Sequence, residues 1–357
     1  MKRILIFCLA LLMAWPAAAQ VRFVDATELT LLGQALPTTH PYHRIDTTRY
    51  KGFTRSENQQ VRCSAGLAVV FRTNSTCLEV LPVYASYVYN GVNTPRIATD
   101  GFDLYIRRDG EWVYAASQAP KKRGEAFRLI SNMDSSEKEC LLYLPNYSEL
   151  LSLQVGVDKD ADLTPLANPF RHKIVIFGSS FTHGISTSRA GMSYPMQIER
   201  NTGLYFCSIA CSGNCKLQPY FADYLADVKD ADAMVFDAFS NPSAQMIEER
   251  LIPFIARIRE SLPTTPLIFV QTIYRERSNF DLKTRKTEEA KREMARKMMK
   301  QAMKQFDGVY FLDVPNLTGT DHVTSVDGTH PSDLGYWRWA QTLQPELLKV
   351  LRQCGIR

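Results

Sequence analysis

Two chain patterns succeed one another in this sequence, and together they predict a β-sandwich followed by an α/β domain built on a parallel sheet. Up to about residue 165, short runs rich in Val, Leu, Tyr and Phe are separated by Asn-Gly, Asp-Gly and Asn-Ser turn signals, the pattern of antiparallel strands. From Lys173 onward, short apolar strands alternate with longer amphipathic stretches, an order that places crossover helices on both faces of a parallel sheet. The Pro- and Asn-rich bend from Thr164 to Pro169 separates the two patterns. The expected division is therefore a signal segment at 1–19, a sandwich at 20–168 and an α/β domain at 169–357.

The signal segment comes first. Lys2 and Arg3 precede an apolar run from Ile4 to Trp15, and Ala17, Ala18 and Ala19 supply the small residues of a cleavage site. The run is short for a bilayer, and no later segment approaches the roughly 20 apolar residues of a membrane-spanning helix. Cys8 lies inside the run instead of at the cleavage point, which argues against a lipid anchor. The mature chain is expected in the periplasm or outside the cell, with no integral membrane segment.

In the sandwich, Gly66–Arg72, Cys77–Tyr89, Phe102–Arg107 and Glu111–Ala116 read as strands. Asn90-Gly91, Asp100-Gly101 and Asp109-Gly110 offer the positive φ values of tight hairpins, and little helix is expected. An oxidising compartment permits a bridge between Cys63 and Cys77. Cys207, Cys211 and Cys215 recur every fourth residue without the second pair of a zinc site, and read as small buried or capping residues.

In the α/β domain the strands are Lys173–Phe177, Leu204–Ile209, Ala233–Phe239, Pro266–Gln271 and Gly308–Asp313. Helices fit near Leu225–Ala231, at Ala244–Leu262, at Asp281–Phe306 and at Tyr336–Val350. In the third of these Leu282, Ala290, Met294, Met298, Ala302 and Phe306 form the apolar stripe. Its Lys and Arg residues are interspersed with Glu288, Glu289 and Glu293, as on a solvated helix face. The whole chain carries +5 from 42 basic and 37 acidic residues, too mild for a nucleic-acid-binding surface.

Candidate chemistry starts at the end of the first parallel strand, in Gly178-Ser179-Ser180. Ligands bind beyond the carboxyl ends of such strands, so Ser180 is a candidate nucleophile. Asp327-Gly328-Thr329-His330 supplies its partners: a D-x-x-H spacing puts carboxylate and imidazole within one turn, where the acid can orient the base that takes a serine proton. His183 and His322 are rival bases: His183 has no nearby carboxylate in sequence, and both read as surface or capping residues. An oxyanion needs donors, and the second and third strands end in Ser212-Gly213 and Ser240-Asn241. The Gly213 N–H, the Asn241 amide and the Ser180 N–H are the candidates, and no metal or cofactor is called for.

The ordered set Gly178-Ser179-Ser180, Ser212-Gly213, Asn241 and Asp327-x-x-His330 resembles the four blocks of SGNH hydrolases, also called the GDSL family. The resemblance implies a three-layer α/β/α, flavodoxin-like fold. It also implies Ser180 as nucleophile, Gly213 and Asn241 as oxyanion donors, Asp327 as orienting acid and His330 as base. Ser179 stands where the family name implies aspartate, and Phe181 where it implies leucine. Gly101-Phe102-Asp103-Leu104-Tyr105 is similar to the G-x-D-L-Y element of a jelly-roll-like β-sandwich domain that precedes SGNH domains in exported bacterial esterases. In that reading Asp103 and Tyr105 are structural. The expectation is an exported serine esterase that removes a short acyl group, acetyl foremost, from a small-molecule or glycan ester. Its rivals are a lipid or phospholipid acylhydrolase and a non-catalytic glycan-binding protein.

Overall fold

The computed structural model describes residues 20–357; the expected signal peptide lies outside the described residues. Ten strands come from the first part of the chain: β1 (Val21–Asp25), β2 (Thr30–Leu32), β3 (Ala68–Thr73), β4 (Leu78–Tyr84), β5 (Phe102–Arg108), β6 (Glu111–Gln118), β7 (Phe127–Ile130), β8 (Lys138–Tyr143), β9 (Leu150–Asp158) and β10 (Leu163–Pro165). They form two antiparallel sheets, one in the order β1-β9-β4-β7, the other in the order β10-β3-β8-β5-β6 with β2 also paired to β3. Side chains that alternate along a strand point to opposite faces. Val69 and Phe71 of β3, Leu104 of β5 and Leu142 of β8 therefore fill the sandwich core with Val80, Leu153 and Val155.

Their neighbours Ala68, Val70, Tyr105, Leu141 and Tyr143 face the other way and join the core of the α/β part. Strands β3, β5 and β8 of the larger sheet are thus buried on both faces, which is why they read as apolar runs instead of alternating ones.

The sandwich departs from the sequence expectation in its connections. Only Asp109-Gly110 makes a two-residue hairpin turn, with φ of 54° and 85°. Asp100-Gly101 follows a short helix instead, and Asn90-Gly91 lies in a long connection between β4 and β5. Two helices appear here, α1 (Arg55–Val61) and α2 (Arg96–Thr99). Thr54 and Glu57 close α1 with a reciprocal capping box, a local signal in a segment otherwise free of helical periodicity. Cys63 and Cys77 do not bridge. Both thiols are buried and free, and Cys77 Sγ bonds Asp158 Oδ1 at 3.1 Å.

The second part holds β11 (Arg171–Gly178), β12 (Leu204–Ala210), β13 (Ala233–Asp237), β14 (Leu267–Val270) and β15 (Val309–Leu312) in one parallel sheet, ordered β12-β11-β13-β14-β15. The helices are α3 (Ser180–His183), α4 (Tyr194–Thr202), α5 (Pro219–Ala226), α6 (Ala244–Ser261), α7 (Leu282–Gln305) and α8 (Asp333–Gln353). Val175 and Phe177 of β11 turn toward a layer of α5, α6 and α7, whose Phe221, Leu251 and Met298 meet them. Ile174 and Ile176 turn toward α4 and α8, where Met196, Trp339 and Leu343 pack. This is the three-layer α/β/α arrangement. Strand order reverses at β11, and that is where a doubly wound sheet opens a crevice.

Cys207, Cys211 and Cys215 are fully buried, and desolvation pushes the Cys207 and Cys211 thiols up to about 12. Two helices sit differently from expectation. α5 begins earlier because Pro219 starts its first turn. In α7 the buried residues include Glu288 and Lys291 along with Ala295, Met298, Met299 and Ala302, whereas Leu282 is exposed. Glu288, expected on a solvated face, is instead buried in a polar cluster with Lys291 and Arg275, because their opposite charges satisfy one another.

Candidate active site

β11 ends at Gly178, in register with Ala210 at the end of β12 and Asp237 at the end of β13. The three following turns therefore leave the sheet side by side. Ser179 caps the single turn α3 by accepting from Phe181 N at 3.2 Å, which puts Ser180 on its first residue with its N–H outside the helical bonding pattern. Ser180 Oγ lies 3.0 Å from His330 Nε2, and His330 Nδ1 lies 2.8 Å from Asp327 Oδ2. The loop between β15 and α8 delivers both partners. Asp327 Oδ1 accepts from the backbone N–H groups of Thr329 at 2.9 Å and His330 at 2.8 Å, so the carboxylate folds back on its own turn. Val326 N donates to His330 O at 2.9 Å and closes that turn.

Electrostatics suit a neutral base beside an ionised acid. Burial pushes the Asp327 carboxyl up, but the bonds from His330, Asn93 and Thr329 outweigh it and hold it well below the usual carboxylate range. Desolvation lowers the His330 imidazole below its ordinary value, Asp327 opposes that, and Arg275 and Arg277 add to it. His330 is thus unprotonated at neutral pH, with Nδ1–H directed to Asp327 and Nε2 free to accept from Ser180. Phe181 stands edge-on to the imidazole at 5.6 Å and to Trp339 at 5.5 Å, so the aromatic at this position supports the ring.

The rival histidines do other work. His183 is buried, stacks on Tyr147 at 4.2 Å and bonds Asn146 O through Nε2 at 2.7 Å. His322 is exposed and pairs with Glu276 at 2.7 Å.

Gly213 and Asn241 follow β12 and β13. Gly213 has φ 72° and open space where a Cβ would stand. Asn241 Oδ1 accepts from Cys215 N at 3.1 Å, which ties the two turns together and leaves the amide nitrogen as Asn241's outward donor. Arg275 Nη2 and Lys291 Nζ both donate to Ser240 O, at 2.7 and 2.9 Å, and Lys291 pairs with Glu288 at 2.6 Å. The polar stripe of α7 therefore pins the loop that carries Asn241.

Several residues of this site carry no local sequence signal. Asp237, 1% exposed, accepts from Ser179 Oγ and Thr182 Oγ1, each at 2.9 Å. A carboxylate thus reaches position 179 from the next strand, in a chain that has serine where the resemblance implies aspartate. An acid inside the apolar run Ala233–Phe239 was the one available hint. From α1, Gln60 brackets Ser212 by accepting from its N–H at 2.5 Å and donating to its carbonyl at 3.0 Å. Tyr147 OH lies 2.7 Å from Ser212 Oγ. Asn93 Nδ2 donates to Asp327 Oδ2 at 2.8 Å.

The GDSL-like lipase/acylhydrolase family profile matches residues 171–348, and the profile for the GxDLY N-terminal region of SGNH-hydrolase-type esterases matches 21–163. A crystal structure from Bacteroides ovatus ATCC 8483, named as a GDSL-like lipase, is 39% identical with a TM-score of 0.91, covering 93% of this chain and 98% of that one. The chain belongs to the GDSL-like lipase/acylhydrolase family. As an SGNH-type carboxylic ester hydrolase, it keeps its fold across wider distances. The salicylyl-acyltransferase SsfX3 of a tetracycline biosynthetic pathway is 20% identical with a TM-score of 0.71, over 94% of this chain and 98% of that one. A family two carbohydrate esterase from Cellvibrio japonicus is 12% identical with a TM-score of 0.63, over 93% and 98%. No curated protein sequence is significantly similar.

The GxDLY element joins the two halves of this SGNH-type esterase. Asp103 Oδ2 accepts from Gly191 N at 2.9 Å, Asp103 Oδ1 lies 3.2 Å from Arg189 Nε, and Arg200 lies over the Tyr105 ring at 4.0 Å. Burial lifts the Asp103 carboxyl to about 6 even with both guanidiniums nearby.

Proposed function

We propose that this esterase is exported and uses Ser180, His330 and Asp327 to remove a short acyl group, acetyl foremost, from a carbohydrate. The observation that carries the serine mechanism is the unbroken hydrogen-bonded chain Ser180 Oγ, His330, Asp327. Ser180 Oγ attacks the ester carbonyl carbon while His330 Nε2 takes its proton, and Asp327 stabilises the imidazolium. The oxygen that becomes negative is met by the N–H groups of Ser180 and Gly213 and the Asn241 amide. Collapse expels the sugar hydroxyl with the proton from His330. Water then repeats the sequence on the acyl-enzyme and releases the acid. The division at 168/169 is supported by the two profile matches, which end at 163 and resume at 171. Export rests on the charged, apolar and small-residue succession in residues 1–19.

The carbohydrate reading is supported by the shared architecture with structures named as carbohydrate esterases. One observation favours a longer, apolar acyl chain instead: Val92 and Val326, each next to a residue of the Asn93–Asp327 contact, are exposed, as is Phe280 three residues after Arg277, which bonds Gly328. Acetylated xylan, acetylated monosaccharides and 4-nitrophenyl esters of increasing chain length separate these readings. The proposal expects Ser180-dependent release of acetate and rates that fall from acetyl to octanoyl. Each methylene changes binding by only about 1–3 kcal/mol, so the fall should be gradual. Faster octanoyl turnover would favour a lipid acylhydrolase, and no turnover of any ester would favour a glycan-binding protein.

A further inference from the structure

The β4–β5 connection, where the sequence pattern predicts a simple hairpin at Asn90-Gly91, runs instead to the Asp327 carboxylate oxygen that also meets His330. Asn93 Nδ2 donates to Asp327 Oδ2 at 2.8 Å, across 234 residues of sequence. With the bonds from His330 Nδ1, His330 N and Thr329 N, this contact brings the donors on the carboxylate to four, as many as a carboxylate has lone-pair sites.

The amide is held in the orientation that donation requires. Tyr89 OH donates to Asn93 Oδ1 at 2.7 Å and Thr94 Oγ1 approaches the same oxygen at 3.4 Å. Turned over, the amide would set its oxygen against the carboxylate. Tyr89 in turn packs on Tyr147 at 4.6 Å, and Thr94 Oγ1 accepts from Ser186 N at 2.9 Å, in the loop that follows α3. A Cβ at Gly91 would stand 2.0 Å from the Tyr89 hydroxyl oxygen, so a side chain there would displace Tyr89 from the amide.

We propose that Asn93 is a positioning residue for catalysis, and that the sandwich part thereby completes the active site by holding Asp327 Oδ2. This rests on the reading of Ser180, His330 and Asp327 as the catalytic set. Asn93 acts through the acid. Its N–H draws charge from Asp327 Oδ2 and fixes that oxygen against His330 Nδ1, in a site where Arg275 and Arg277 also face the imidazole and Tyr89 faces the amide. Without it, Asp327 holds the imidazolium more strongly but less precisely. The base should then titrate higher while transferring its proton less often.

The test compares Asn93→Ala, Asn93→Asp and Tyr89→Phe with the full chain. It reads kcat, KM and the acidic limb of the pH profile on a 4-nitrophenyl ester, with the rate at which a fluorophosphonate probe labels Ser180 and thermal unfolding measured in parallel. Asn93→Ala should lose about tenfold in kcat with KM within about twofold, the pattern of lost transition-state stabilisation. Its acidic limb should move up by about 0.5 pH unit. Asn93→Asp places a second carboxylate against Asp327 and should lose more than Asn93→Ala, whereas Tyr89→Phe, which leaves Asn93 in place, should lose less. Probe labelling should slow in the same order. If hydrolysis and labelling depend on Ser180 but all three variants match the wild type in kcat and pH limb, the positioning role is overturned alone. If labelling does not occur at Ser180, or Ser180→Ala leaves hydrolysis unchanged, the serine reading falls and this inference with it. Should Asn93→Ala unfold, Tyr89→Phe still decides.

Discussion

Replacing Asp237 by asparagine should make this protein's stability less sensitive to pH, by an amount that follows from its burial. The carboxyl is 1% exposed, and desolvation lifts it from 3.8 to about 6 although Thr182, Ser179 and the more distant Arg275 favour its charged form. At 1.36 kcal/mol per pH unit, that rise sets ~3 kcal/mol against the ionised folded state. Between those two values the folded chain binds more protons than the unfolded chain, so stability falls as pH rises. The contribution is fully present below pH 3.8 and is lost as pH passes through about 6. Asparagine cannot ionise, yet its Oδ1 can still accept from the Ser179 and Thr182 hydroxyls. Urea unfolding of both proteins from pH 4 to pH 8 measures the effect. The variant should be about equal or ~1 kcal/mol less stable at pH 4, since a neutral acceptor is exchanged for another. Relative to the wild type it should gain ~3 kcal/mol by pH 8. Asp103, also raised to about 6, and Glu199, raised to about 7, titrate in both proteins and cancel in the difference. A stability difference constant within ~1 kcal/mol over that range would refute the claim that Asp237 is ionised at a cost beneath Ser179.

The other predictions concern the catalytic set. Ser180→Ala should abolish ester hydrolysis with circular dichroism unchanged, and more than about a tenth of wild-type activity would reject the nucleophile. Asp327→Asn should lose less than His330→Ala, because the carboxylate orients and stabilises while the imidazole moves the proton; steady-state kinetics of the two variants decide. The acidic limb of kcat/KM should lie below 6.5, since burial and the nearby Arg275 and Arg277 lower His330, with activity lost as pH falls through that limb. A limb above 6.5 would contradict that assignment. EDTA should leave rates unchanged because no step of the serine mechanism uses a metal, and loss of activity on chelation would oppose it.

Much of this protein is legible in the sequence because it rests on short-range pattern. Short apolar runs and helical spacing place β11 to β15 and α6 to α8 within a few residues of their observed ends. D-x-x-H brings Asp327 and His330 together through one turn of backbone. The strands that lead into Gly178-Ser179-Ser180, Ser212-Gly213 and Ser240-Asn241 end side by side through the parallel register. What the tertiary structure decided is different in kind. Asn93 on Asp327, Gln60 on Ser212 and Asp237 beneath Ser179 are polar contacts across 234, 152 and 58 residues. No local period marks them, because each exists only where segments distant in sequence rest against each other. The same reason explains α7, whose Glu288 and Lys291 are buried against Arg275 and Ser240 although the charge pattern reads that face as solvated. A buried charge is stable only with its partners, and those partners are brought to it by other strands.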